Sequence, residues 1–161
     1  MEKYYSTLYR FGVHLTQDAD LVDDCIQEVF ISLWQIRHKA DSIQFIRQYL
    51  LTSLRRRIFR AQASQKKSKD LQTQGFDLVF SIEGLLSEHQ VAEENAARLR
   101  LILDQLSSRQ KEVIYLIYYL QMDHAQAAAV MHINRQSVYN LLSEAIRNIR
   151  DFWQNAGPDT V

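Results

Sequence analysis

Apolar residues recur along this chain at helical spacing. Tyr4, Leu8, Phe11 and Leu15 stand at i, i+4, i+7 and i+11, which predicts a helix over residues 3–15. Residues 18–36 carry Leu21, Val22, Cys25, Ile26, Val29, Phe30, Leu33 and Trp34. Their 22/26/29/33 stripe, with 30 and 34 beside it, makes a wide apolar face and predicts a helix buried along one side. Asp18 and Asp20 suit its N-terminal turn, and Asp23, Asp24, Gln27 and Glu28 occupy its other face. A third stripe, Ile43, Ile46, Tyr49, Leu50, Leu54 and Ile58, predicts a helix over 43–62, with the periodicity ending beyond Arg60.

Residues 62–75, QASQKKSKDLQTQG, are polar and hold no aromatic, as expected of a linker. The stretch 76–86, FDLVFSIEGLL, is apolar but short and irregular, and a short buried strand stays open there. Helical spacing returns over 88–105 with Val91, Leu99, Ile102, Leu103 and Leu106. Ser107 or Ser108 can cap the next helix, although Ser108 with Glu112 is one residue out of capping-box register. That helix runs through Val113, Ile114, Leu116, Ile117 and Leu120. A shorter one follows at about 123–130 and a last one at about 135–153, with Asn134 as its N-cap. Gly157-Pro158 ends the structure. No internal repeat is evident. The expected fold is all-α: two small helical domains, 1–65 and 91–161, joined by a linker over 66–90.

Composition agrees with this picture. The chain has 161 residues, one Pro and four Gly, with 47% hydrophobic and 24% charged residues, enough for packed cores. A single cysteine excludes an internal disulfide framework and a four-cysteine zinc site. Cys25 lies on an apolar stripe and reads as core. The five histidines show no metal-ligand spacing, and no cofactor motif is present. No run reaches the roughly 18 apolar residues of a membrane span. The N-terminal residues, MEKYYSTLYRFGVHL, lack the apolar stretch and cleavage site of a signal peptide. The expectation is a cytoplasmic protein with no membrane insertion.

Charge changes the picture more. The formal net charge is zero, but residues 1–46 carry 4 basic and 7 acidic groups, and residues 70–104 carry 2 and 7. Between them, residues 47–69 carry 8 basic groups and no acid. Phosphate attraction follows the local field rather than the total, so this block is a candidate nucleic-acid contact. A solvated basic helix face is the plainer alternative.

Two constellations carry candidate chemistry. In DHAQAAAVMHINRQSVYNLLSEAIR (123–147) a small-residue helix meets a three-residue turn and a second helix, the pattern of a helix-turn-helix. Val130, Ile133, Val138 and Leu142 are spaced to share a core. Arg135, Gln136, Ser137, Tyr139 and Asn140 then fall on the exposed start of the second helix. Arg can pair bidentately with guanine, and Gln or Asn with adenine. An ordinary helical hairpin with a polar face remains the alternative. His132 occupies the turn position where Gly commonly supplies a positive φ. In the N-terminal half, the 47–60 helix mixes Tyr49 and Phe59 with Arg47, Arg55, Arg56, Arg57 and Arg60. Arginines attract phosphates and aromatics stack on unpaired bases, which suits melted DNA. Tyr49 lies on the apolar stripe and reads as core. The acidic face Asp23/Asp24/Gln27/Glu28 has no histidine or third carboxylate in register. It reads as a protein-docking surface or a solvated face, not an enzyme site.

Taken together, these segments resemble an extracytoplasmic-function (group 4) sigma factor of bacterial RNA polymerase, over roughly residues 5–61 and 99–150. DADLVDDCIQEVFISLW (18–34) is similar to regions 2.1–2.2, with Asp23, Asp24, Gln27, Glu28, Phe30 and Trp34 matching. The resemblance implies that Asp23, Asp24, Gln27 and Glu28 bind core polymerase at the coiled coil of the β′ clamp. FIRQYLLTSLRRRIFR (45–60) is similar to regions 2.3–2.4, which implies melting and reading of a −10 element by Arg47, Arg55, Arg56, Arg57, Phe59 and Arg60. Residues 103–150 are similar to region 4, through Leu106, Arg109, Gln110, Val113, Ala128, Ile133, Ser137 and Val138. That implies −35 recognition by Arg135, Gln136, Ser137, Tyr139 and Asn140, and contact with the β flap.

The implied function is promoter-specific transcription initiation, without catalysis, and an anti-sigma factor is an implied partner. Three features depart from the family pattern. Its R-N-x-x-x-D is here Arg55-Arg56-Arg57-Ile58-Phe59-Arg60, His132 replaces the turn Gly, and the recognition helix is only modestly basic. A specialised promoter, bound weakly without core polymerase, is expected. About 25 linker residues can extend to roughly 80 Å, against about 70 Å for two turns of B-DNA. The competing reading is an autonomous dimeric helix-turn-helix regulator that needs no polymerase. An enzyme finds no nucleotide loop, metal cluster or nucleophile–base motif.

Overall fold

A computed structural model describes residues 2–38, 45–66, 76 and 93–155. Ile43, Val91, Gly157-Pro158 and the expected linker beyond Lys66, apart from Phe76, lie outside the described residues. So does the rest of the irregular stretch 76–86. All regular structure among the described residues is helical. It forms two compact units. The first is built on α1 (Glu2–Leu15), α2 (Ala19–Gln35) and α3 (Ile46–Lys66). The second is built on α4 (Glu93–Asp104), α5 (Ser108–Ile114), a π-helical turn (Tyr115–Tyr119), α6 (His124–Met131) as far as Ala128, and α7 (Arg135–Asn155).

In the first unit every pair of helices is in contact. Leu8, Phe11 and Leu15 of α1 are buried, as are Val22, Cys25, Ile26 and Val29 of α2 and Leu50, Leu51, Leu54 and Ile58 of α3. Asp18 caps α2, its Oδ1 accepting the Leu21 amide at 3.0 Å. The capping carboxylate offsets an orphan donor and sits favourably at the positive end of the helix dipole. The wide apolar face expected on α2 is narrower than its sequence suggests. Phe30 and Leu33 are half-buried and Trp34 is exposed, because α1 and α3 enclose only one side of α2. Helix α3 also outruns its apolar periodicity and continues to Lys66. Gln62 gives one reason, since its Nε2 donates to the Leu15 carbonyl at 3.3 Å and satisfies an orphan acceptor at the end of α1.

In the second unit, Ile102, Leu103 and Leu106 are buried, together with Val113, Leu116, Val138, Leu142 and Ala145. Ser107 is the N-cap of α5 and closes a capping box with Gln110. The Ser107 hydroxyl accepts the Gln110 amide at 3.3 Å and Gln110 Oε1 accepts the Ser107 amide at 3.0 Å. The expected continuous helix to Leu120 becomes a π-helical turn after Ile114, with the Leu120 amide donating to the Tyr115 carbonyl at 2.9 Å. Tyr115 is buried, its ring 5.5 Å from that of Phe76 and stacked at 4.8 Å on Tyr119. Gln121, at φ 52°, ends this segment. Asp123 then caps α6 by accepting the Ala125 and Gln126 amides, both at 2.8 Å.

The turn between α6 and α7 has the Schellman pattern. The Ile133 amide donates to the Ala128 carbonyl at 3.0 Å and the His132 amide to that of Ala129 at 3.4 Å. His132 takes φ 52°, the left-handed conformation expected at this position. Asn134 caps α7, its Oδ1 accepting the Ser137 amide at 2.7 Å.

Gly12 sets how closely α1 approaches α2. A Cβ at this position would lie 2.5 Å from Cγ1 of the fully buried Val22. Gly12→Ala gains roughly 1 kcal/mol of helix propensity, but overpacking a closed core costs about 1–3 kcal/mol. The denaturation midpoint is expected to fall in Gly12→Ala and not to fall when the same change is made in a Val22→Ala background. A rise in the native background would contradict the close packing.

Candidate functional site

The buried stripe of α2 determines what its other side displays. At about 100° per residue, Asp20, Asp24, Gln27, Ile31 and Trp34 share one strip opposite the core. All five are exposed, Ile31 at 57% and Trp34 at 60%. The Arg37 guanidinium lies 4.9 Å from the Trp34 ring centre, and its Nη1 donates to the Trp34 carbonyl at 3.1 Å. The four residues expected to act together on this face take different positions. Gln27 and Asp24 lie within the strip, whereas Asp23 and Glu28 flank it, about 140° apart around the helix. The Tyr5 hydroxyl of α1 donates to Asp23 Oδ1 at 2.6 Å. Arg57 of α3 donates through Nη1 to Glu28 Oε2 and through Nη2 to the Ser32 hydroxyl at 2.6 Å. Hydrogen bonding to the Asp23 carboxylate, ahead of desolvation, raises the Tyr5 phenol above its ordinary pKa.

The strip joins carboxylate, amide and apolar groups, which suits a protein partner presenting cations around an apolar patch. Ile31 and Trp34 were missed as surface residues. Their signal is the progression 20, 24, 27, 31, 34, which carries a polar stripe into two large apolar side chains.

The basic helix α3 divides its residues by direction. Arg56, Phe59 and Arg60 are exposed, and Arg55 is half-buried with its guanidinium 4.5 Å from the Phe59 ring centre. Arg56 and Arg60 stand one turn apart on the side away from the core. Arg55 and Phe59 lie on one flank, and Arg57 projects from the other flank onto α2. Arg47 is half-buried in the first turn. The structure therefore brings Arg55, Arg56, Phe59 and Arg60 onto neighbouring surface, and sets Arg57 apart.

In the second unit, Arg135, Gln136, Tyr139 and Asn140 are exposed at the start of α7, and Ser137 is half-buried. Gln136 Nε2 donates to Asn140 Oδ1 at 3.0 Å, so the two amides present a joined set of donors and acceptors. Tyr139 stacks on His124 of α6, with ring centres 4.2 Å apart and planes at 14°. An open groove of about 250 Å³ runs past Ser137 and Asn140, with Arg109, Ile133, Leu141 and Glu144 along its walls. His124 had no signal in the sequence, since its partner lies 15 residues away. Among the described residues no group of three or more His, Cys, Asp or Glu is placed to hold a metal ion. No helix among them is long and apolar enough to cross a membrane.

Comparison with known proteins follows the same division. Residues 1–68 match the family described as Sigma-70 region 2, and residues 96–149 match Sigma-70, region 4. The ECF RNA polymerase sigma factor SigL of Mycobacterium tuberculosis is 28% identical over 163 residues, covering 97% of this chain and 88% of its own. SigK of Mycobacterium ulcerans, also an ECF RNA polymerase sigma factor, is 23% identical over 146 residues, covering 89% and 78%. Among solved structures, the sigma factor RpoE of Bartonella quintana, in complex with the anti-sigma factor NepR, has the same fold. Its TM-score is 0.61 at 16% identity, covering 99% of this chain and 95% of that one.

Cys25 packs on the core side of α2, behind the exposed strip, at 5% exposure. Burial, followed by the nearby Glu28 carboxylate, pushes its thiol pKa up, with Arg57 acting in the opposite direction. Near pH 8.5, where an ordinary thiol is about half ionised, the folded protein is therefore expected to react with iodoacetamide more slowly than a small-molecule thiol. Denaturant should abolish the difference, and equal rates in the folded state would contradict the buried placement.

Proposed function

The chain belongs to the sigma-70 family, and we propose that its two units divide the labour of promoter recognition between the residues described above. The protein is a sigma factor of the extracytoplasmic-function kind, which binds core RNA polymerase and directs transcription initiation at specific promoters. Residues 1–65 act as region 2, 66–90 as the linker and 91–161 as region 4. The observation that carries the residue-level reading is the exposed strip Asp24, Gln27, Ile31 and Trp34 on α2. It lies on a helix whose other side is fully committed to the core.

In this reading the strip, with Asp23 and Glu28 at its edges, docks on the β′ clamp of the polymerase. Arg56 and Arg60 contact backbone phosphates at the −10 element. The Arg55–Phe59 pair offers a cation and an aromatic face on which an unpaired base can stack. Arg47, partly enclosed at the start of α3, supports the same surface. No covalent step is required, because capture of the melted strand lowers the free energy of the open state. The second unit places α7 in the major groove at the −35 element. Arg135 and the joined Gln136–Asn140 amides face base edges, and the capped helix start, with Ser137, faces phosphate. Tyr139, stacked on His124, holds the reading helix against α6. The β flap docks on the second unit.

The protein acts in the cytoplasm, where its polymerase is, and is not an enzyme. RpoE of Bartonella quintana is in complex with an anti-sigma factor, and a partner of that kind is proposed here too.

Purified protein is expected to bind bacterial core RNA polymerase stoichiometrically in a pull-down. Asp24→Lys or Trp34→Ala should weaken binding by at least about tenfold, or roughly 1.4 kcal/mol. A wild type that binds no polymerase from a suitable host would sink the reading. On promoter DNA, Arg135→Ala should cost about 1–3 kcal/mol, confined to one position of the upstream element. Equal losses on every sequence would make Arg135 a phosphate contact. Phe59→Ala should slow strand opening, read by permanganate reactivity, while leaving closed-complex binding intact.

A further inference from the structure

The two carboxylates at the edges of the α2 strip are each held by a different neighbouring helix. Tyr5 of α1 takes Asp23, and Arg57 of α3 takes Glu28 and Ser32. The strip between them, Asp24 and Gln27 continuing into Ile31 and Trp34, faces outward. We propose that Tyr5 and Arg57 are positioning residues of the polymerase-docking face, and that Arg57 serves this face rather than the DNA. The inference rests on the sigma-factor reading and assigns roles within it.

Three observations carry it. First, Arg57 is directed away from the exposed side of α3. Its side chain is 31% exposed, and its two Nη atoms are engaged with acceptors one turn apart on α2. Both contacts hold the guanidinium against α2 rather than on the exposed side of α3. Arg56 and Arg60, by contrast, are exposed on the side of α3 away from the core. Second, each holding contact uses one oxygen of its carboxylate. Tyr5 donates to Asp23 Oδ1 and Arg57 to Glu28 Oε2. Asp23 Oδ2 and Glu28 Oε1 are left by these contacts to meet a partner's cation. Third, Glu28 is a long side chain, 60% exposed at the rim of the strip. Unheld, it would sample several rotamers and lose that freedom on docking; held by Arg57, part of the ordering cost is met before the partner arrives. Tyr5 does the same for Asp23 on the opposite flank. Both holders belong to helices packed directly on α2, so the spacing of the two carboxylates is set by the three-helix core.

The test is a double-mutant cycle read by equilibrium binding of the full chain to core RNA polymerase. A second readout is binding to a single-stranded oligonucleotide as salt is varied. Arg57→Ala is expected to weaken polymerase binding about two- to fivefold, the range of an exposed ion pair. The same change made in Glu28→Ala should add nothing. Arg57→Lys, which keeps the charge but not the fork, should recover part of the loss. Tyr5→Phe should weaken binding in the native background and not in Asp23→Ala. For the oligonucleotide, Arg56→Ala should lower the salt slope by about 0.7, the value for one single-strand phosphate. Arg57→Ala should leave that slope unchanged.

Additive losses for Arg57 and Glu28 would overturn the proposal, as would a loss of salt slope in Arg57→Ala with polymerase affinity intact. A wild type that fails to bind polymerase would overturn the sigma-factor reading and this inference with it. Wild-type binding that is indifferent to Arg57 and Tyr5 would overturn this inference alone.

Discussion

One-sided burial of α2 is the constraint on which the first unit depends. Val22, Cys25, Ile26 and Val29 are enclosed between α1 and α3. Full burial of an aliphatic side chain is worth about 1.5–3 kcal/mol, so three such positions, with Cys25 beside them, dominate the helix's orientation. The exposed Arg57–Glu28 pair, in a class typically worth 0–1 kcal/mol, cannot rotate α2 against that packing and only trims the side chains on its surface. Packing therefore decides which strip faces outward, and polar contacts decide how its edges are held. Gly12 is part of the same constraint, because the absence of a side chain there lets Val22 sit fully inside.

The second unit is organised differently. Two of its helices, α5 and α6, are short, and their positions are set largely at the ends. Ser107 with Gln110, Asp123, and Asn134 each cap a helix start. The Schellman turn at Ala128–Ile133 joins α6 to α7 with its carbonyls satisfied. A cap is typically worth about 1 kcal/mol, comparable with a single buried methylene or two. In helices of seven and eight residues such terms decide where the helix begins. The exposed start of α7 is thereby placed with its amides and its Arg135, Gln136 and Asn140 side chains directed outward. The two kinds of organisation suit the two proposed roles: a broad face for a protein partner in one unit, and a sharply aimed helix end for DNA in the other.

How much of this is legible in sequence depends on how local the cause is. The stripes of α1 and α3, the caps Asp18 and Asn134, and the left-handed turn at His132 follow from residues within a few positions of one another. The capping box at Ser107 was equally local, but is visible only if Gln110 is taken as its partner in place of an acidic residue. The π-helical turn at Tyr115–Tyr119 has no comparable signal, since its buried tyrosine packs on Phe76, 39 residues earlier. Helix α3 reaches Lys66 although its apolar pattern stops sooner, because Gln62 finds the Leu15 carbonyl of another helix. The candidate sites show the same split. The candidate docking carboxylates and recognition residues could be chosen by residue type and register, whereas the exposure of Ile31 and Trp34 shows in sequence only as the continuation of the polar 20, 24, 27 strip. On an apolar-rich helix that polar strip competes with the apolar positions beside it until packing fixes which side is covered.

The sequence by itself determined the helical class, the order of the two modules, the family and the residue types at the proposed sites. Each of these is written in periodicity, capping chemistry and short motifs, whose physics acts within one or two helical turns. Only the tertiary structure decided that α2 turns Trp34 outward, that Tyr139 rests on His124, and that Arg57, one of five arginines in the basic helix segment, belongs to α2. Those outcomes depend on contacts between side chains 15 to 29 residues apart. A charge or an aromatic ring in the chain does not specify its partner until packing has chosen the neighbours.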